Sequence, residues 1–342
     1  MNNIFGPEKP LSDYNLWRAI VAAASIVIGT GVILVWEKLP QPSELAELSV
    51  VFETMPSLTR VWGKTGGDVV IAPPVPMAPP QLPELTGQML PAETFSAKSI
   101  IVKDDATGAV LYRKAEYEER SIASLTKLMS ALVILEKAPR WASPTTVIRD
   151  DIIDTHISAG DTYNLDQLWQ AALIGSSNKA IYTLADAVGW PRAAFVERMN
   201  EKARELGMAN TIFVDPTGLE AGNVSTASDL AILMQEAMRQ ERIKKALLTK
   251  EYRLYSSERK KEHHLWNTNW LLLGWIPNEL AEIRGGKTGY IPESGYNFVL
   301  QTADQARHAL TIVILGAAVH EARFTEARDV AEWVWANYRW PD

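Results

Sequence analysis

Ten of the 19 prolines in this 342-residue chain fall between residues 39 and 92, six of them within APPVPMAPPQLPEL (72–85). Proline fixes φ and removes a backbone donor, so neither a helix nor a central strand can run through that stretch. It favours polyproline II, in which residues 72–92 reach roughly 65 Å. The chain is therefore divided, and residues 37–92 read as a Pro-rich stalk. One apolar patch inside it, LSVVF (48–52), has no assignment.

On the N-terminal side of the stalk, Ala19 to Trp36 are 18 residues without a charge, flanked by Arg18 and by Glu37-Lys38. As a helix they span about 27 Å, close to the hydrocarbon thickness of a bilayer, with Trp17 and Trp36 at interface positions. A cleaved signal peptide is the rival reading, but the run is long for one and no small-x-small site follows Trp36. We expect a transmembrane anchor at 19–36 behind a short cytoplasmic N-terminus at 1–18. Lys9 and Arg18 before the span against Lys38 after it lean that way.

On the C-terminal side, residues 93–342 have the length of one domain. A composition of 47% apolar and 22% charged residues with 12 tryptophans suits a packed core. The balance of 34 basic against 41 acidic residues gives −7, the wrong sign for a nucleic-acid protein, and no such partner is expected. Without cysteine there is no thiolate nucleophile and no Cys-bound zinc. Five histidines without a His-Glu-x-x-His pattern give no zincin site, so neither metal nor cofactor is expected. The chemistry left is that of Ser, Thr, Lys or a carboxylate.

SIIVKD (99–104) and AVLYRK (109–114) read as two strands joined by a turn. Ser124 to Lys137 reads as an apolar helix ending before Pro139. Leu165–Gly189 and Arg192–Leu206 read as two more helices, and Thr226 to Asp229 as the cap of another. AEIRGGKTGYI (281–291), YNFVLQTA (296–303) and HALTIVILGAA (308–318) are strand-like, followed by a helix from Ala322 to Tyr338. Strands joined by short turns pair antiparallel, so the expected class is α+β: an antiparallel sheet flanked by helices, with a helical lobe.

Ser124-Leu-Thr-Lys127 places a hydroxyl and an amine on one helical face. A lysine in a water-poor site is destabilised as a cation and can serve as a base, and a helix N-terminus offers N–H groups to an oxyanion. Ser-x-x-Lys is common, however: Ser176/Lys179 and Ser257/Lys260 repeat it, and alone it reads as a helix start with a solvated lysine. Ser176-Ser177-Asn178 ends an apolar stretch and can turn a hydroxyl and an amide into one cleft. Lys287-Thr288-Gly289 lies on a strand whose lysine and threonine can hold a carboxylate, while glycine lets a substrate backbone lie alongside. A second Lys-Thr-Gly at 64–66 precedes the domain and reads as a decoy. Neither copy is a phosphate loop, because Leu58 and Ala281 stand where the first glycine is required.

Ser-x-x-Lys, Ser-x-Asn and Lys-Thr-Gly in that order resemble the signature of penicillin-binding proteins and class A β-lactamases. IASLTKLMSALVILE (122–136), ALIGSSNKA (172–180), FVERMNEKARELGMANTIFVDPTGL (195–219), NVSTASDLAIL (223–233), WNTNWLL (266–272) and GGKTGYIPESGYNFV (285–299) resemble the low-molecular-mass D-alanyl-D-alanine peptidases. The resemblance covers residues 95–340. It implies that Ser124 attacks the penultimate D-Ala carbonyl with Lys127 as base, and that Ser176 passes the proton to the leaving group. It further implies that Asn178 positions the peptide, and that Lys287 and Thr288, with Gly289 beside them, hold the carboxylate. The Ser124 and Tyr290 N–H groups would form the oxyanion hole. Peptidoglycan stem peptides are the implied substrate, β-lactams the covalent inhibitors, and the outer side of a bacterial cytoplasmic membrane the place.

Two departures matter. Lys179 stands where many carboxypeptidases of this family have Asp, and with NVSTASDL and WNTN this leans toward the endopeptidase branch. The C-terminal β domain and tail anchor of many relatives are not recognised, and the N-terminal span would replace that anchor. A β-lactamase would need a carboxylate such as Asp215 or Glu220 to activate the deacylating water. A non-catalytic wall-peptide sensor is the other alternative. His156, His263, His264 and the run Arg242/Lys244/Lys245 read as surface residues, and Glu197, Glu201 and Glu205 as one exposed helix face.

Overall fold

In the computed structural model the described residues are 81–341 except 149, 153 and 155. The main sheet begins with the hairpin β1 (Ser99–Asp104) and β2 (Val110–Lys114). Six helices follow: α1 (Thr126–Glu136), α2 (Leu165–Leu173), α3 (Asn178–Ala187), α4 (Arg192–Glu205), α5 (Ala227–Arg239) and α6 (Glu241–Leu248). A second hairpin, β3 (Glu251–Ser256) and β4 (Lys261–Trp266), precedes the meander β5 (Glu282–Ile291), β6 (Gly295–Ala303) and β7 (Ala309–Ala317). Helix α7 (Ala322–Asn337) closes the domain. The main sheet is antiparallel in the order β5-β6-β7-β1-β2, so the first hairpin pairs with the last strand of the meander and β5 is an edge.

Both faces of that sheet are covered, which explains why β7 reads as an unbroken apolar run although it is antiparallel. Side chains alternate along a strand: Val313 and Leu315 enter a core with the helical lobe, whereas Leu310, Ile312 and Ile314 enter a second core under α7. Helix α7 turns Phe324, Ala327, Val330, Ala331 and Val334 to that second core, a helical stripe. Helix α1 is buried from Thr126 to Ile134, because α3, α4 and α5 surround it. A helix buried all round cannot be amphipathic, which is why its sequence is so uniformly apolar.

Three expectations need correction. Leu165–Gly189 is two helices, because Ser176 adopts a left-handed φ of 58° and Ser177 starts a new helix by accepting a hydrogen bond from the Ala180 N–H at 3.1 Å. Ser124 precedes the α-helix, in a 3-10 turn spanning Ala123–Leu125. Residues 81–92 are not free stalk: Glu84 and Leu85 pair antiparallel with Arg339 and Tyr338. Among the described residues no helix is long and apolar enough to cross a membrane; the expected span at 19–36, the segment 1–18, the stalk up to residue 80 and the Lys64 motif lie outside them.

Candidate active site

Ser124 lines a cavity of about 560 Å³ that runs along the edge strand β5. One turn further on, Lys127 has no solvent exposure. Its Nζ lies 2.6 Å from Ser124 Oγ and donates to Asn178 Oδ1 at 2.8 Å and to the Thr217 carbonyl at 2.9 Å. Burial lowers the amine to about 7, against the smaller opposing pull of Asp215 and Asp154. A neutral amine beside a hydroxyl can accept its proton, so this pair has the geometry and the basicity of a nucleophile with its base.

The backbone that carries Ser124 is gripped from two sides. A Cβ on Gly289 would stand 2.6 Å from the Ile122 carbonyl oxygen and 3.2 Å from the Ser124 nitrogen; one on Gly218 would stand 1.8 Å from the Ala123 carbonyl oxygen. Only glycine permits these approaches. The loop before Gly218 is fixed to α1, where Ser130 Oγ donates to the Pro216 carbonyl at 2.6 Å. The same loop is organised around Asp215, whose carboxylate accepts from the N–H groups of Thr217, Gly218 and Glu220. Asp215 is therefore spent on the loop, Glu220 is exposed, and no carboxylate is among the described residues that line the cavity.

Opposite Ser124, Lys287 is also without solvent exposure, and its Nζ donates to Ser176 Oγ at 2.8 Å and to the Thr288 carbonyl at 2.9 Å. Burial pushes it well below the usual lysine range, and the charges of Lys127 and Arg323 add to this. Thr288 Oγ1 donates to Thr268 Oγ1 at 2.7 Å. Tyr290 stacks on Tyr296 at 4.5 Å and remains half exposed at the rim. All eight positions singled out in the sequence thus meet at one cleft between the helical lobe and β5.

Other residues were not legible as part of it. Asp154 holds the Ser176 turn: one oxygen accepts from Ser177 Oγ at 2.6 Å and the Lys179 N–H at 3.1 Å, the other from the N–H groups of His156 and Ile157. An Asp in the run DDIIDTH (150–156) carries no local signal for this. Asp154→Ala is expected to slow acylation by a penicillin about tenfold or more, because small misplacements of reacting groups are costly; an unchanged acylation rate would show the turn is held without it. His156 and His264, expected at the surface, line the cavity, together with Trp266, Trp275, His320 and Arg323. Arg323 is 6% exposed and lies over the Tyr296 ring, and burial lowers it to about 10. Lys179 is buried in α3 and does not line the cavity.

A serine activated by a buried lysine, facing a Lys-Thr-Gly edge strand across a cleft, defines a serine acyl-transfer enzyme. The profile of the D-alanyl-D-alanine carboxypeptidase family, peptidase S11, matches residues 86–319, and the chain belongs to that family. It is 31% identical over 241 residues to a D-alanyl-D-alanine endopeptidase of Haemophilus influenzae, covering 68% of this chain and 80% of the relative. An endopeptidase of Pseudomonas aeruginosa is 32% identical over 249 residues, covering 71% and 78%. The carboxypeptidase DacF of Bacillus subtilis is 29% identical, covering 76% of this chain and 68% of the relative. Among solved structures, a mutant of the Streptomyces K15 DD-transpeptidase is similar with TM-score 0.65 and 26% identity, over 71% of this chain and 98% of that one. Penicillin-binding protein D2 of Listeria monocytogenes, with cefotaxime bound, is similar with TM-score 0.61 and 26% identity, over 70% and 98%. The chain is thus a serine DD-peptidase of the penicillin-binding kind.

Proposed function

We propose that this DD-peptidase acts on peptidoglycan as an endopeptidase, cutting the amide between D-alanine and the amine of a cross-linking diamino acid. The observation that carries the chemistry is Lys127, buried and 2.6 Å from Ser124. Ser124 Oγ attacks the D-Ala carbonyl as Lys127 takes its proton, and the N–H groups of Ser124 and Tyr290 receive the oxyanion. Ser176, hydrogen-bonded to Lys287, passes a proton to the departing amine. Lys287 and Thr288 hold the carboxylate of the leaving residue, and Asn178 orients the peptide while holding Lys127. Water then releases the acyl group. A β-lactam opens on the same serine and stays attached for as long as water is not activated.

The endopeptidase reading is supported by the WNTN segment, since Trp266, Asn267 and Thr268 all line the cavity. Residues 19–36 anchor the chain, with the peptidase domain on the outer side of the cytoplasmic membrane, where the substrate is. The test is to incubate the purified full chain with defined muropeptides. Cross-linked dimer should be converted to monomers, and the chain should sediment with membranes unless residues 1–36 are removed. Release of free D-Ala from a monomeric pentapeptide, with the dimer untouched, would make it a carboxypeptidase. No cleavage and no labelling by fluorescent penicillin would leave a wall-binding sensor.

A further inference from the structure

We propose that Trp266 and Trp275 form the subsite for the second peptide strand of a cross-linked substrate, the strand attached to the leaving amine. This rests on the DD-peptidase reading and on the position of Ser176. A Cβ on Gly175 would stand 2.6 Å from Leu265 Cδ2, so β4 is pressed against the very turn that presents Ser176. Trp266 is the next residue of that strand, and alternation turns its ring away from the core that receives Leu265 and into the cavity. Trp275 arrives from the other direction. The short helix Trp270–Leu273 ends at Gly274 with φ 74°, and this reversal sets the Trp275 ring 5.6 Å from both Trp266 and Trp270. Trp270 is the footing, stacked on Phe324 at 5.7 Å and 11° in the core beneath α7.

The two outer indoles stay 44% and 49% exposed although they sit in a concave site. Grouped half-exposed aromatics in such a cavity are the part of a surface that gains most from being covered. Their place decides what covers them. The leaving amine collects its proton at Ser176, and a departing D-Ala ends there with a methyl group and a carboxylate. A cavity of about 560 Å³ that continues to Trp266 and Trp275 is in the range that encloses much larger ligands. Whatever reaches that far is bonded to the leaving residue: the alkyl stem and the amides of the cross-linked partner. Alkyl stems lie well along apolar faces, and His264, hydrogen-bonded to Glu251 at 2.6 Å and packed against Trp266 at 4.4 Å, offers a polar group at the edge of that face.

The experiment compares the full chain with its Trp266→Ala/Trp275→Ala variant on three substrates: a cross-linked peptide dimer stripped of sugars, the same dimer carrying its disaccharides, and a monomeric pentapeptide. The ratio of kcat/KM on stripped dimer to that on pentapeptide should fall about tenfold, mainly through KM, and phenylalanine at both positions should restore most of it. Labelling by fluorescent penicillin checks folding, and if the double variant is unlabelled, Trp275→Ala alone carries the same ratio. An equal loss on dimer and pentapeptide overturns the proposal, since the rings would then only support the site. A loss confined to the disaccharide-bearing dimer also overturns it, by making the wall a sugar platform. A wild-type chain that releases D-Ala but splits no dimer overturns this proposal and leaves the DD-peptidase reading intact. A wild-type chain that is neither labelled nor active brings down the reading itself.

Discussion

Ser124→Ala will abolish acylation by a penicillin, because the oxygen that forms the ester is gone, and Lys127→Met will slow it about 10⁴-fold. Two groups that act as one unit fail together: without the hydroxyl the base has nothing to deprotonate, and without the base the hydroxyl is a poor nucleophile. Acylation of Lys127→Met at close to the wild-type rate would mean that another group deprotonates Ser124. The lysine must be neutral to accept the proton, so wild-type acylation should rise with pH through about 7 and then level off. The same shift links to stability. Burial depresses the folded-state value, so between about 7 and the ordinary lysine value the unfolded chain binds a proton that the folded chain does not. Stability contributed by this group therefore rises with pH across that window, by about 1.4 kcal/mol per pH unit. Denaturant titrations from pH 7.5 to 9.5 should show this slope to be steeper in wild type than in Lys127→Met; equal slopes would mean that the lysine is protonated in the fold.

The sequence shows the strands of the meander, because short apolar runs bounded by PESG and DQAR have one plausible pairing. It does not show that β1 joins β7, since that contact spans about two hundred residues and nothing local encodes it. The hairpin β3–β4 is not legible for another reason: EYRLYS and KEHHLW carry few apolar residues and no sustained alternation of apolar with polar. Seven of the eight site residues are legible because three short motifs occur in a fixed order, a signal independent of burial, and Tyr290 comes with them as the residue after Lys-Thr-Gly. Asp154 and Arg323 had no such help. Their parts in the site come from side chains that meet only after α3 and α7 are packed, and a single Asp or Arg looks the same in sequence whether it faces water or a cleft. The same holds for His156 and His264: without a partner motif they read as surface residues, and they stand at the wall of the cavity.

Gly218→Ala will cost both stability and activity, whereas Gly207→Ala will cost only a little stability. Both glycines have a left-handed φ, +83° and +77°, so each alanine variant carries the same kind of backbone strain, on the order of 1–2 kcal/mol. Around Gly207 nothing lies within 4 Å of the added methyl, and its effect ends there. At Gly218 the methyl would stand 1.8 Å from the Ala123 carbonyl oxygen and 2.9 Å from the Ser124 nitrogen. Both are backbone atoms, so no rotamer relieves the clash and the chain must part by about 1 Å. The added strain brings the total to roughly 3–5 kcal/mol, a fall in Tm on the order of 10 °C for a domain of this size. The displacement falls on the atoms that place the nucleophile and one oxyanion donor, and a shift of about 1 Å there costs about 100-fold in acylation rate. Melting curves and penicillin-labelling kinetics on the two variants separate the effects. If Gly218→Ala melts like Gly207→Ala and acylates like wild type, the loop does not bear on the serine turn as the structure places it.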